Sequence, residues 1–276
     1  MSVFICAHAG AAMFYFGQGL DDVWWLAWLA PAPILWLAYG AAPRWQVFAA
    51  ALAAGAAGQI FMVQAYGGQL PFPVIASVVL AFGALFAVAV LCARVLARRL
   101  PPMGALFTFP AVWTSLEYLN GLGSPHGSFG SFAYASVVFP ASVQIASLLG
   151  LYAVSFLMCL FANALALLMR GARAPALIGL AICAASLVFG FVRLSAPEGT
   201  MVQVAALSDW DARRHSLKSL DLAASQKMAA EYEAAARTEA DKGARFIVIP
   251  ETAIGFDPAW RGQVTQSLWT WRGSVG

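Results

Sequence analysis

The sequence predicts a multi-pass α-helical membrane domain of about seven transmembrane helices over residues 1–195, followed by the opening portion of an α/β domain over residues 196–276. Three observations carry that prediction. Hydrophobic residues make up 61% of the 276-residue chain and charged ones 11%, with a mean hydropathy of +0.74, far above a water-exposed fold. The charges are unevenly placed: residues 1–195 hold seven Lys/Arg and three acids, whereas the remainder holds nine basic and ten acidic groups, a balanced mixture suited to water. Finally, six of the seven basic residues in the first segment fall in alternate gaps between apolar runs.

Cutting the apolar stretches at charges and Gly/Pro clusters gives spans at roughly 3–19, 23–40, 45–66, 73–97, 103–119, 141–169 and 174–194, each near the length that crosses a hydrocarbon core. The first has no basic stretch ahead of it and leads directly into another span, so it is expected to be retained rather than cleaved as a secretory signal. Arg44 lies between the second and third spans, Arg94, Arg98 and Arg99 between the fourth and fifth, and Arg170 and Arg173 between the sixth and seventh. The other connections offer Asp21 and Asp22, the run Gly67-Gly68-Gln69-Leu70-Pro71, and a segment with His126 but no Lys or Arg. The positive-inside bias then places the N-terminus in the cytoplasm and residues 196–276 outside, with Arg193 as the exception. A net charge of +3 made of span-flanking arginines gives no nucleic-acid surface, so no nucleic-acid partner is expected.

Within the spans one ionisable residue stands out, Glu117 in Pro110-Ala111-Val112-Trp113-Thr114-Ser115-Leu116-Glu117. An intramembrane carboxylate is costly and often functional, although this one is expected near the outer end, within reach of water. The following stretch, Gly121 to Pro140, is rich in Gly, Ser and aromatics and suits a re-entrant or surface-lying segment in contact with lipid. His126 there reads as an interfacial side chain. Gly55 and Gly58 read as close helix packing.

After residue 195 the pattern changes. Met201–Leu207 reads as a short strand, Ser208 to His215 as a loop, and about Ser216 to Lys242 as an amphipathic helix with Leu217, Leu220, Ala224, Met228, Tyr232 and Ala235 on one stripe. Glu233 and Arg237 pair outside at i,i+4, and Gly243 ends the helix. Arg245-Phe246-Ile247-Val248-Ile249-Pro250-Glu251-Thr252-Ala253 then reads as a strand buried on both faces and closed by Pro250. Strand, helix, strand is a parallel unit with a right-handed crossover. Glu251 falls at its carboxyl end, where open α/β sheets bind ligands, and is the candidate catalytic residue, a general base. The four cysteines, Cys6, Cys92, Cys159 and Cys183, lie in apolar runs with no metal-site spacing, so neither metal nor cofactor is expected.

The layout resembles the bacterial apolipoprotein N-acyltransferase family, a membrane branch of the nitrilase, or carbon–nitrogen hydrolase, superfamily. The residues that carry the resemblance are Pro250-Glu251-Thr252-Ala253-Ile254, the strand Val202 to Leu207, Pro110 to Trp113 with Glu117 and Leu119, and Gly150-Leu151-Tyr152-Ala153-Val154-Ser155-Phe156. The resemblance implies an αββα nitrilase-like domain outside the inner membrane with a Glu, Lys and Cys triad in that order. The Cys would take an acyl chain from a membrane phospholipid as a thioester and pass it to the N-terminal amine of a lipoprotein, with Glu as base and Lys stabilising the oxyanion. Only Glu251 is matched by the triad pattern. The last lysine, Lys242, and the last cysteine, Cys183, both precede it, so the chain is expected to be an inactive fragment. Asn120 stands where the acyltransferases usually show an arginine, which keeps two other readings open: a TraB-type membrane component of conjugal transfer, and a non-catalytic membrane scaffold. A transporter is disfavoured, because apart from Glu117 the spans offer no charge to form an ion path.

Overall fold

A computed structural model describes residues 2–19, 21, 23–196, 199–208, 221–250 and 253–264. The chain divides into two compact units, Met1–Ala196 and Pro197–Gly276.

The first unit is helical. Its elements are α1 (Ser2–Gln18), α2 (Trp24–Leu29), α3 (Pro31–Ala38), α4 (Arg44–Ala57), α5 (Phe61–Tyr66), α6 (Phe72–Ala97), α7 (Pro102–Gly123), α8 (Pro140–Val143), α9 (Ala146–Leu149), α10 (Leu151–Met169) and α11 (Arg173–Leu194). Prolines open α3, α6, α7 and α8, where a missing N–H costs nothing. Among the described residues four helical stretches are long and apolar enough to cross a membrane: Arg44–Tyr66, which takes α4 and α5 together, Phe72–Ala97, Leu151–Met169 and Arg173–Leu194. Shorter apolar helices cover Trp24–Ala38 and Pro140–Leu149. The expected span 141–169 is divided, because Gly150 adopts φ +78°, a left-handed conformation that suits glycine and ends α9 before α10 begins.

Small residues let the helices close up. Cβ positions built on Gly55 and Gly83 would meet α6 and α4 respectively, at 2.9 Å from Phe86 Cβ and 2.8 Å from the Leu52 carbonyl, so both glycines serve the close packing expected of Gly55. Gly58 likewise faces Gln18 and Phe14. Phe14, Phe86, Phe109, Trp113 and Phe132 form a run of rings with successive edge, tilted or stacked contacts at 5.0–6.4 Å. Pro110 lies inside α7 and cannot donate to the Leu106 carbonyl; Asn163 Nδ2 of α10 donates to it instead at 2.7 Å, and also to the Ala105 carbonyl at 3.1 Å. Tyr39 Oη completes the arrangement by donating to Asn163 Oδ1 at 2.6 Å. Asn163 is fully buried.

The second unit holds β1 (Val204–Ala206), α12 (Leu222–Asp241) and β2 (Phe246–Val248). The strands pair in parallel, Val204 with Phe246, Ala205 with Ile247 and Ala206 with Val248. Two flanking bonds extend the ladder, Arg245 N–H to Gln203 O and Leu207 N–H to Val248 O, both 2.9 Å. Asp221 caps α12 by accepting from Ala223 N–H at 3.1 Å, and Gly243, at φ +99°, ends it. Its buried stripe is Ser225, Met228, Ala229, Tyr232 and Ala236, so Ala236 and not Ala235 faces inward. Leu217 and Leu220 lie outside the described residues. The strand β2 also departs from expectation. It was expected to be buried on both faces, but Phe246 and Val248 are 59% and 54% exposed, because α12 covers one face of a two-stranded piece and the described residues supply nothing over the other.

Candidate functional site

Two carboxylates were singled out by sequence, and they have different surroundings. Glu251 lies outside the described residues, which flank it on both sides. Pro250 precedes it just beyond β2, and Ala253 N–H donates back to the Pro250 carbonyl at 3.2 Å. Ala253 is 5% exposed and packs with Met228 and Tyr232 of α12, together with Leu207, Ile249 and Ile254. Ser225 Oγ donates to the Gly255 carbonyl at 2.6 Å. The chain on both sides of Glu251 is therefore held against α12, beyond the carboxyl ends of two parallel strands. Tyr232 Oη is buried in the same small core without a hydrogen-bond partner among the described residues. Lys242 pairs with Glu239 at 2.7 Å on the exposed end of α12. All four thiols belong to helices of the first unit, where Cys6, Cys159 and Cys183 are buried and Cys92 is exposed on the helix surface.

Glu117 sits on α7 with 8% exposure, deeper than a water-reached end position suggested. Phe132 N–H donates to its Oε1 at 2.5 Å, and the hydroxyls of Ser131 and Ser155 stand beside the carboxyl group, 3.5 Å from each other. Its Oε2 and the Trp113 indole N–H one turn earlier are buried without hydrogen-bond partners among the described residues. Both line a cavity of about 10 Å³ that Asn120, Ser128, Ser131 and Tyr152 also border, room for about one water. A larger cavity of about 400 Å³ shares Phe129, Gly130 and Ser131 with it and reaches Gln18, Gln59 and Tyr66.

The segment after Glu117 is more deeply engaged than a lipid-facing loop. It turns through residues 124–131 into a short 3₁₀ helix, Phe132–Ser136, whose Phe132, Ala133 and Ser136 are buried. Trp28 Nε1 donates to Ser136 Oγ at 2.7 Å, so two helices hold the segment, α7 through Glu117 and α2 through Trp28. His126 is exposed and touches Phe129, not the carboxylate. Glu117 thus acts on the segment's backbone, as an acceptor where a buried N–H would otherwise be lost. Sequence reading gave Ser155 no role of its own and missed Asn163; the available signal was a small polar side chain inside an apolar helix, which must bond across helices when no water is present. Among the described residues no group of His, Cys, Asp or Glu is gathered to hold a metal.

Comparison with known proteins supplies what geometry leaves open. Residues 10–165 match the family described as the apolipoprotein N-acyltransferase N-terminal domain, a stretch that includes Glu117 and its segment and stops before Glu251. Over 197 residues the chain is 32% identical to an apolipoprotein N-acyltransferase of Geobacter metallireducens, an alignment covering 63% of this chain and 36% of that protein. The aligned part is thus about a third of that relative's length.

Proposed function

Because the chain belongs to the apolipoprotein N-acyltransferase family, we propose that it carries the membrane part and the first βαβ of the catalytic domain of an enzyme that moves an acyl chain from a membrane phospholipid to the N-terminal amine of a lipoprotein. The observation that carries this reading is the carboxyl end of the β1–β2 pair, where Pro250 and Ala253 bracket Glu251 in a chain whose helical part matches that family. In this reading residues 196–276 open a nitrilase-like αββα domain. A Cys thiol loses its proton to Glu251 and attacks the phospholipid ester carbonyl; a thioester forms and a lysophospholipid leaves. The lipoprotein amine then attacks the thioester, an amide forms, and the thiol is regenerated. The Lys and Cys of that chemistry are expected beyond Glu251 in the family order, and neither residue type follows it among residues 252–276.

The reading includes seven spans in the bacterial inner membrane, with the N-terminus cytoplasmic and residues 196–276 periplasmic, supported by the arginine distribution. An alkaline phosphatase fusion after Gly199 is expected to be active and one after Arg99 inactive; the reverse pair of results removes the topology. Glu251→Gln, in a chain that supplies the Lys and Cys, with membrane abundance checked by blot, is expected to slow thioester formation by about 10²–10⁴-fold. Near-normal thioester formation at normal abundance would refute the catalytic assignment.

A further inference from the structure

Four arginines meet at one turn of the first unit. Residues 39–43 leave the C-terminus of α3 and lead into α4. Arg94 and Arg98, one helical turn apart on and just after α6, both donate into this turn: Arg94 Nη2 to the Ala42 carbonyl at 2.7 Å and Arg98 Nη2 to the Gly40 carbonyl at 3.2 Å. Arg170, at the end of α10, approaches from another side. Its Nε and Nη2 donate to the Trp36 carbonyl, its guanidinium lies 4.2 Å over the Trp36 ring, and its Nη2 occupies the place a Cβ on Gly40 would need. Arg44, the first residue of α4, follows Pro43 directly at the end of this turn and is exposed.

Arginines over the last carbonyls of a helix are a common capping device, and capping uses one N–H of Arg94, one of Arg98 and two of Arg170. Two features go beyond it. Arg94 is 4% exposed, and its Nε and Nη1 are buried without a hydrogen-bond partner among the described residues. A buried guanidinium with two unused donor nitrogens, which carry three N–H groups, calls for an anionic acceptor. Moreover, among the described residues no carboxylate forms an ion pair with any of the four arginines, and Glu117 is engaged with Phe132.

A planar guanidinium matches the paired oxygens of a phosphate. What surrounds the cluster decides between a free phosphate and a lipid one. Trp45 is 70% exposed beside Arg44, Leu96 and Leu100 are 40% and 45% exposed beside Arg98, and Met169 is 64% exposed beside Arg170. Cations set directly against exposed apolar side chains fit an amphiphile, an anionic head with hydrocarbon tails. We infer that the turn at Gly40, with Arg44, Arg94, Arg98 and Arg170, binds the phosphate of an anionic phospholipid headgroup. The site is separate from the acyl-transfer reading. From Tyr152, which lines the Glu117 cavity, to Met169 beside the cluster, α10 extends about 25 Å, so a lipid held here anchors the opposite end of the bundle.

The test uses the purified 276-residue chain in neutral detergent, titrated separately with dioleoylphosphatidylglycerol, dioleoylphosphatidylcholine and inorganic phosphate, with bound species counted by native mass spectrometry. Phosphatidylglycerol is expected to bind at least about tenfold more tightly than either comparator. The double variant R44Q/R98Q changes two exposed side chains and is expected to weaken it about 25-fold, near fivefold per charge. Arg193→Gln, at the far end of α11, is expected to leave it unchanged. Arg94→Met should weaken binding as well, and the exposed pair decides the matter if that variant misfolds. Equal phosphatidylglycerol binding by wild type and R44Q/R98Q, an equal loss in Arg193→Gln, or binding of phosphatidylcholine or inorganic phosphate as tight as phosphatidylglycerol would each overturn the inference.

Discussion

Asn163 and Arg237 handle polarity in opposite ways, and the contrast separates the two units. Asn163 is fully buried between α7 and α10 and spends its amide on two carbonyls near a proline and on a tyrosine hydroxyl. Arg237 stands on the exposed face of α12 and pairs with Glu233 one turn away at 2.6 Å. Ser136, Ser142 and Thr108 in the first unit follow the Asn163 pattern, buried and bonded, whereas Arg94, Trp113 and Glu117 each keep a buried polar atom without a partner among the described residues. The second unit carries ion pairs on the outside of α12 and, among the described residues, buries chiefly apolar side chains around Met228 and Tyr232. The difference follows from the solvent. Hydrocarbon offers a polar atom nothing, so it must bond inside the protein, whereas water competes for every exposed pair and leaves little net gain.

The contrast can be broken at four points. Phe132 is 2% exposed and touches Phe14 and Trp113, so Phe132→Ala empties the centre of the ring run and is expected to cost about 3 kcal/mol, lowering the melting temperature in detergent. An unchanged melt would mean that the segment after Glu117 is not part of the bundle core. Asn163→Leu removes the side-chain donor to the Leu106 carbonyl and the Oδ1 acceptor of the Tyr39 hydroxyl, and is expected to cost about 1–2 kcal/mol. A gain in stability from that apolar replacement would remove the claim that Asn163 compensates for Pro110.

In the second unit the expected effects are smaller and one has the opposite sign. Tyr232→Phe deletes a buried hydroxyl that has no hydrogen-bond partner among the described residues, so it should be neutral or stabilise by less than about 1 kcal/mol. A clear loss would reveal a partner for that hydroxyl. Arg237→Ala is expected to change stability by about 0.3–0.5 kcal/mol, and less in high salt. A loss as large as that of Asn163→Leu would erase the distinction drawn between the two units.

The membrane character, the position of most helices and the βαβ order were legible in the sequence, because hydropathy, charge placement and proline positions act locally, within one element. The chain by itself also marked Gly55, the Glu233–Arg237 pair and the glycine that ends α12. Tertiary structure decided the rest. The break at Gly150, the folding of Phe132 into the bundle, the Asn163 bond to α7 and the meeting of Arg94 with the Gly40 turn join residues far apart in the chain. Periodicity reports which face of a helix is apolar and says nothing of which neighbour it meets. A buried polar group is therefore visible in the sequence as an anomaly, and only packing supplies the partner that makes it stable.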